Sequence, residues 1–202
     1  MVLYTIGYSE YFEGEGLINR LKELNIEYLV DVRTFPYSKT FPYYDEPILK
    51  KELAKVGIKH QFLGDYVGGL TVKTKVREGI KTVKDLLEVE QFKNGMNKLY
   101  KIIKSSKTAI MCAEKDPMNC HRFLGIGYLM ETEAGVKVVN VIGSKEEDID
   151  QTINRFKKEN KLENLNFSNE QIIKERLNLL YKIQNKKEER ELPKIGANKT
   201  LF

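Results

Sequence analysis

The stretch TAIMCAEKDPMNCHRFLGIGYLM, residues 108–130, decides the fold that we predict for this chain. It opens with the short apolar run TAIMC, which is typical of a buried strand. A polar loop with one proline follows, and residues 123–130 then carry apolar side chains at helical spacing. A strand, a loop and a helix in this order form the unit from which parallel α/β sheets are built.

Apolar runs and helical patterns continue to alternate on both sides of this stretch. Residues 2–7, 27–32 and 58–63 predict three earlier strands, residues 136–142 predict a later one, and amphipathic helical patterns lie between them. Residues 71–82 match no pattern and stay unassigned. Strands that alternate with helices indicate a mostly parallel sheet flanked by helices, so we predict an α/β fold.

Composition divides the chain into three segments. Residues 1–143 contain the alternating pattern and form the predicted α/β domain. Residues 144–190 are highly charged and helix-forming, so we expect a C-terminal helical appendage. Residues 191–202 have no periodicity and are expected to form a flexible tail. The tail ends in Leu201 and Phe202 and resembles the short terminal peptides with which DNA-repair and replication proteins dock on sliding clamps. A sliding clamp is therefore a candidate partner, and the alternative is an apolar terminus without this role.

The overall composition bounds the class of protein. With 202 residues, of which 41% are hydrophobic, the chain can bury one substantial core. Two cysteines exclude a disulfide framework. No apolar run approaches the ~18 residues that span a membrane, and no charged leader precedes the first strand, so we expect a cytoplasmic protein without a membrane partner. The formal net charge of +5 favours an anionic partner.

Polar and reactive side chains follow three of the predicted strands at the points where those strands end. Ser9 follows the first strand, Asp31 and Arg33 follow the second, and Cys112 and Glu114 follow the strand TAIMC. In an open parallel sheet, ligand sites form in the crevice outside the carboxyl ends of the strands. If these strands are neighbours, the five side chains line one cleft.

Four segments of the chain, in order, resemble the motifs of the DUF488 family of uncharacterised proteins. These segments are TIGYS, LVDVRTFPYS, FLGDYVGG and MCAEKDPMNCHR. The resemblance covers about residues 1–142 and implies an α/β domain whose site is built from these motifs, which adds Ser38 to the expected ligand-binding residues. It implies no particular reaction, although some members are loosely labelled as DNA-repair related. Tyr8 stands where the family often has His.

Arg33 and Arg122 are the residues that we expect to bind a phosphate-bearing ligand, because a guanidinium presents a planar fork that suits phosphate. Cys120, His121 and Arg122 lie at the start of the next helix, where exposed N–H groups favour an anion. We therefore include all of them among the ligand-binding residues, with a nucleotide or nucleic acid as the expected ligand. The alternative is an internal ion pair in which Asp31 binds Arg122 and holds two loops together.

Glu114, Cys112 and Asp31 are the candidate catalytic residues. Glu114 could act as a general acid or base, and Asp31 could orient it. Cys112 could be a thiolate nucleophile with His121 as its base. A zinc site needs about four ligands, and His60 is the only other histidine, so we expect Cys112 to be a buried apolar side chain rather than a metal ligand. We accordingly predict no metal and no cofactor. The alternative that stays open is a ligand set of two cysteines, one histidine and a carboxylate.

The loop of residues 33–47 carries five aromatic side chains. We expect Phe35 and Phe41 to pack on the sheet, whereas the tyrosines could stack on bases beside Lys39 and Arg33. Together these features predict an α/β protein with a strand-end cleft for a phosphate-bearing ligand, acting as a DNA-repair-associated hydrolase or transferase. Two alternatives stay open: a non-catalytic nucleic-acid-associated or adaptor protein, and a thiol redox protein based on the two cysteines.

Overall fold

The computed structural model describes residues 1–11 and 14–181, which fold around one six-stranded sheet. The strand order is β3-β2-β4-β1-β5-β6, where the strands are β1 Val2–Gly7, β2 Tyr28–Asp31, β3 Lys59–Phe62, β4 Thr108–Cys112, β5 Lys137–Ile142 and β6 Lys145–Glu147. Strands β1 to β5 are parallel, and β6 pairs antiparallel with β5. The predicted α/β fold with a mostly parallel sheet is confirmed.

Helices connect and cover these strands. In the described part of the chain they are α1 Gly14–Glu23, α2 Glu46–Lys55, α3 Gly64–Val67, α4 Gly69–Glu78, α5 Glu90–Ser105, α6 Tyr128–Thr132, α7 Ile149–Glu159 and α8 Asn169–Leu180. A π-helical segment, Arg122–Gly127, leads directly into α6. Most of the unassigned region 71–82 is thus helical, because α4 runs through it. None of the described helices is both long enough and apolar enough to cross a membrane.

Strand β4 lies between β1 and β2 and fixes where the other strands end. All five of its residues are buried, because sheet neighbours flank it and helices cover both faces. Cys112 pairs in register with Gly7 of β1, and Met111 pairs with Asp31 of β2. The carboxyl ends of β1, β2 and β4 therefore meet at one edge of the sheet.

The hydrophobic core extends from the sheet to the C-terminal helices. Ile153 of α7 and Ile173 and Leu177 of α8 belong to the same buried cluster as Ile110 of β4 and Phe92 of α5. The segment that we predicted to be a helical appendage therefore begins with strand β6, and its described helices pack on the core of the sheet. Residues 182–202, including the whole predicted tail with Leu201 and Phe202, lie outside the described residues.

Gly7, the last residue of β1, allows the loop after β4 to cross the end of β1. A Cβ atom at this position would lie 1.8 Å from the backbone oxygen of Glu114, which is far inside a steric clash. The backbone N–H of Ser9 then donates to the carbonyl of Ala113 at 3.0 Å and fixes the crossing. The glycine of the TIG motif is thus explained by close backbone approach.

We predict that Gly7→Ala lowers the free energy of unfolding by about 1 to 3 kcal/mol or more, because the loop after β4 must move away from the added methyl group. Chemical denaturation measures the change. Gly16→Ala in helix α1 is the matched control, since a Cβ atom there would make ordinary contacts of 3.4 Å with Tyr11. We expect Gly16→Ala to be neutral or stabilising. Equal stability of both variants would contradict the crossing.

Candidate functional site

The loop after β4 returns Cys120 and His121 to the end of the strand. A short 3-10 turn, Pro117–Asn119, reverses the chain, and the Asp116 carboxylate caps it by accepting the backbone N–H of Met118 at 3.0 Å. Proline suits this position because the first N–H of a helical turn needs no partner. The chain then enters the π-helical segment, whose residues are all buried. This reversal brings side chains eight and nine residues after Cys112 next to it.

Cys112, Cys120 and His121 form a buried thiol–imidazole cluster. His121 Nδ1 lies 4.0 Å from Cys112 Sγ and 3.9 Å from Cys120 Sγ. The three atoms all lie within 4.8 Å of one another. On its other side the imidazole Nε2 donates to the backbone carbonyl of Val32 at 2.9 Å. Because a carbonyl only accepts hydrogen bonds, Nε2 carries a proton and Nδ1 is the nitrogen that faces the sulfur atoms.

Glu114 borders this cluster on the solvent side. Its Oε2 lies 2.8 Å from Cys120 Sγ, so the two groups share a proton. Cys112, Cys120 and His121 are only 3%, 1% and 6% exposed, whereas Glu114 is an exposed residue. Desolvation of the side of the carboxyl that faces the cluster, followed by the charge of Cys120, raises the pKa of Glu114.

The two thiols differ in their ionisation. The hydrogen bond with Cys120, together with burial, holds the pKa of Cys112 well above its usual range. Burial opposes ionisation of Cys120 too, but the hydrogen bond from Cys112 and the charges of Arg122 and His121 outweigh it and hold the pKa of Cys120 well below its usual range. Burial opposes the charging of His121, but its contacts with Cys120 raise the pKa of the imidazole. Ionisation therefore favours Cys120 over Cys112.

Arg33 forms a buried ion pair with Asp31. Its Nε donates to both carboxylate oxygens of Asp31 at 3.0 Å, and Nη2 donates to Oδ2 at 2.6 Å and to the carbonyl of Tyr44 at 2.7 Å. Asp31 is fully buried and Arg33 is 4% exposed. The internal pair between Asp31 and Arg122 that we considered as an alternative is wrong, because the partner of Asp31 is Arg33.

Arg122 holds the loop after β4 in place through hydrogen bonds to its backbone. It is fully buried, and its guanidinium donates from Nη1 to the backbone carbonyl of Glu114 and from Nη2 to that of Lys115 at 3.0 Å. These two bonds use the fork that we expected to meet a phosphate. The arrangement fixes the backbone from which the Glu114 side chain extends, so Arg122 positions the site.

The two candidate serines are engaged locally. Ser9 contributes its backbone N–H to the loop crossing described above. Ser38 donates its backbone N–H to Asp45 at 2.7 Å, and its hydroxyl accepts the N–H of Phe41 at 3.0 Å, so these bonds of Ser38 stabilise the aromatic loop itself. Phe41 packs edge-on against Tyr8 as expected. The expected packing of Phe35 is wrong, because its side chain is 73% exposed.

Tyr181 and Gly69 belong to the site but were not identified from the sequence. A Cβ atom at Gly69 would lie 3.3 Å from both His121 Nδ1 and the Tyr181 hydroxyl oxygen, so a larger residue at the start of α4 would require these groups to shift by a few tenths of an ångström. Burial, followed by the charges of Cys120, Cys112 and Glu114, raises the pKa of Tyr181. The GG of FLGDYVGG was a readable signal of close approach. The sequence contains no signal for Tyr181, because its approach to the site depends on how α8 packs.

A cavity of about 480 Å³ lies elsewhere at the loops after β2 and β3. Its lining includes Thr34, Phe35, Leu70 and Lys75 and none of the residues of the thiol–imidazole cluster. The cavity and the cluster therefore have no residue in common.

Comparison with known proteins gives one match. A family model described as "Domain of unknown function DUF488" matches residues 14–129, a span that contains Asp31, Arg33 and the whole loop from Cys112 to Arg122. No curated protein and no solved structure matches the chain.

The ion pair between Asp31 and Arg33 predicts a large loss of stability when one partner is removed. We expect Asp31→Asn to lower the free energy of unfolding by about 3 to 5 kcal/mol, because it leaves the Arg33 charge buried without its counter-ion. The double variant Asp31→Asn/Arg33→Met should lose less than the sum of the two single changes. Chemical denaturation gives each value.

The control for this prediction is Glu52→Gln, which removes the exposed ion pair between Glu52 and Lys55. We expect it to change stability little, because solvent screens exposed pairs. Additive effects of the two changes at Asp31 and Arg33 would show that their charges do not interact.

Proposed function

Because the chain belongs to the DUF488 family, whose function is unknown, we propose a function from the site itself: the protein binds a divalent transition-metal ion of the zinc class through Cys112, Cys120 and His121. Thiolate and imidazole are the ligands that zinc prefers. The observation that carries this proposal is the convergence of two Sγ atoms and one Nδ1 atom within 4.8 Å in a buried position.

The distances between the ligand atoms support the proposal. Bond lengths of about 2.3 Å to sulfur and about 2.0 Å to nitrogen separate such ligands by about 3.5 Å in a tetrahedron. The two Sγ–Nδ1 distances are 4.0 Å and 3.9 Å, so small rotations of the side chains are enough to close the site on an ion.

The second nitrogen of His121 gives independent support. A histidine that ligates a metal usually donates its other ring N–H to a carbonyl or carboxylate, which fixes the ring and its tautomer. His121 Nε2 makes this bond with the Val32 carbonyl at 2.9 Å, and Val32 is itself buried at the end of β2. The imidazole is therefore held with Nδ1 directed at the thiols before an ion binds.

The burial of the cluster favours a metal over a thiol nucleophile or redox pair. Catalytic thiols are generally accessible to their substrates, whereas Cys112 and Cys120 are 3% and 1% exposed. A purely apolar role for Cys112, which we expected from the sequence, leaves unexplained why His121 and a carboxylate converge on the same two sulfur atoms. A shared cation accounts for all four groups.

A phosphate-bearing ligand, as in a nucleotide or nucleic acid, is the second candidate. It has less support, because Arg33 is paired with Asp31 and Arg122 donates to two backbone carbonyls. Two observations retain it: Nη1 of Arg33 and Nε of Arg122 are buried and have no hydrogen-bond partner among the described residues. A role in DNA repair adds a biological setting to this candidate, and no further contact of the described chain bears on it.

The metal proposal predicts that the protein, purified without a histidine tag or chelator, contains about one equivalent of zinc per chain. Cys112→Ser, Cys120→Ser and His121→Asn should each lose most of this metal. Elemental analysis measures the content, and His60→Asn, which changes the only other histidine, should retain it. Loss of metal from His60→Asn as well would contradict the assigned ligands.

A second measurement covers ligand variants that fail to fold. Removing the metal from the wild-type protein with a chelator should lower the melting temperature, and Zn²⁺ should restore it, because an ion that binds only the folded chain stabilises it. A wild-type protein that contains no metal and whose melting temperature does not respond to added Zn²⁺ would show that the proposal is wrong.

A further inference from the structure

We infer that this metal centre is catalytic, with an exchangeable coordination position beside Glu114, and that it hydrolyses compounds with a polarised C=O or C=N carbon. This inference rests on the proposed function and concerns what the ion does once it is bound. It follows from the number of protein ligands, from the exposure of Glu114 and from the fixed backbone beneath it.

The chain cannot complete a closed structural zinc site. Structural sites use four Cys or His ligands, whereas catalytic sites keep three protein ligands and bind water at the fourth position. The sequence has two cysteines and two histidines in all, and His60 lies on β3, outside the group of converging ligand atoms. The fourth position therefore belongs to Glu114 or to water.

The exposure of Glu114 locates the open side of the centre. The three protein ligands are almost completely buried, whereas Glu114 is exposed and its Oε2 still reaches Cys120 Sγ at 2.8 Å. Solvent thus reaches the centre at a carboxylate that can serve as an additional oxygen ligand. A carboxylate in this place can either bind the ion or turn away and leave its position to water.

The backbone around Glu114 is fixed, whereas its side chain can turn. Arg122 donates to the carbonyls of Glu114 and Lys115, and Ser9 donates to the carbonyl of Ala113. Rotation about the side-chain bonds of Glu114 therefore moves the carboxyl group only between positions next to the ligands. A group that accepts a proton from bound water must be held within hydrogen-bond reach of that water, and Glu114 Oε2 already lies 2.8 Å from the ligand atom Cys120 Sγ.

The reaction that this arrangement fits is hydrolysis. An ion held by Cys112, Cys120 and His121 would acidify a bound water molecule, Glu114 would take the proton, and the water oxygen would form a bond to the C=O or C=N carbon of the substrate. The bond from that carbon to the leaving group then breaks, and Glu114 returns the proton to the leaving group. One water molecule is consumed, and no oxidant or reductant takes part.

The burial of the three ligands restricts the substrate to a reacting group that protrudes. Among the described residues of the centre, Cys112, Cys120 and His121 are enclosed, whereas Glu114 is exposed. The middle of a folded polymer could not bring its backbone to an ion enclosed in this way. We therefore assign the substrate class as small esters, amides or amidines, or such groups at the end of a larger molecule.

Replacement of the ion by Co²⁺ tests the exchangeable position. Visible absorption bands of the cobalt protein report the coordination of the ion, and acetohydroxamate, which mimics a carbonyl substrate and binds metals, is the probe. We expect acetohydroxamate to shift these bands saturably in the wild-type protein and in Glu114→Gln. If cobalt binds but acetohydroxamate does not change its absorption bands, the centre is structural and this inference alone is wrong. Failure to bind any cobalt would instead overturn the proposed function.

Hydrolysis of 4-nitrophenyl acetate by the zinc-loaded protein tests the role of Glu114. Loss of a general base lowers rates by about 100-fold or more, so we expect that loss of kcat/KM in Glu114→Gln with the metal content and the response to acetohydroxamate retained. Glu88→Gln removes another exposed carboxylate, which pairs with Lys75, and should keep the wild-type rate. An unchanged rate in Glu114→Gln, or wild-type hydrolysis that does not require the metal, would contradict the assignment.

Discussion

The insertion of β4 between β1 and β2 is the constraint on which the rest of this structure depends. The chain reaches β2 from β1 by passing over the place that β4 later fills, and it leaves β4 for β5 on the other side of β1. The connections after β1 and β4 therefore run in opposite directions, which opens a crevice at their carboxyl ends. The register of Gly7 with Cys112 brings the loop after β4 across this crevice, and every group of the thiol–imidazole cluster follows from that crossing.

Two buried arginines make the crossing rigid in different ways. Arg33 is neutralised by the carboxylate of Asp31, so its charge is balanced within two residues of chain. Arg122 instead donates to backbone carbonyls, and the Cys120 thiolate is the anionic group whose pKa responds to its charge. A buried guanidinium without a carboxylate costs stability unless nearby groups supply negative charge. Negative charge on the thiol–imidazole cluster therefore offsets the cost of burying Arg122.

The sequence pattern predicts where the strands end, but it does not predict which side chains the loop after β4 brings together. Apolar runs identify β1, β2 and β4, and the parallel arrangement brings their ends together. The pairing of Asp31 with Arg33 was also readable, because residues two apart in extended chain share a face. The return of Cys120 and His121 to Cys112 was not, since it depends on the turn at Pro117–Asn119, whose direction is set by tertiary contacts. Helix α4 escaped prediction because its apolar face is short: Val72 and Val76 are its buried residues, and most of the residues around them are polar.

Charge balance explains why the cluster combines these particular groups. When Cys112 and Cys120 are thiolates and Glu114 is a carboxylate, they carry three negative charges, while Arg122 contributes one positive charge and a neutral His121 contributes none. Two negative charges are then uncompensated in a place that is largely closed to water, which is strongly unfavourable. Binding of protons removes part of this negative charge, which agrees with the raised pKa values of Cys112 and Glu114. A divalent cation bound by the two sulfur atoms and Nδ1 of His121 neutralises the site completely, and it releases Glu114 to act on the side that faces solvent.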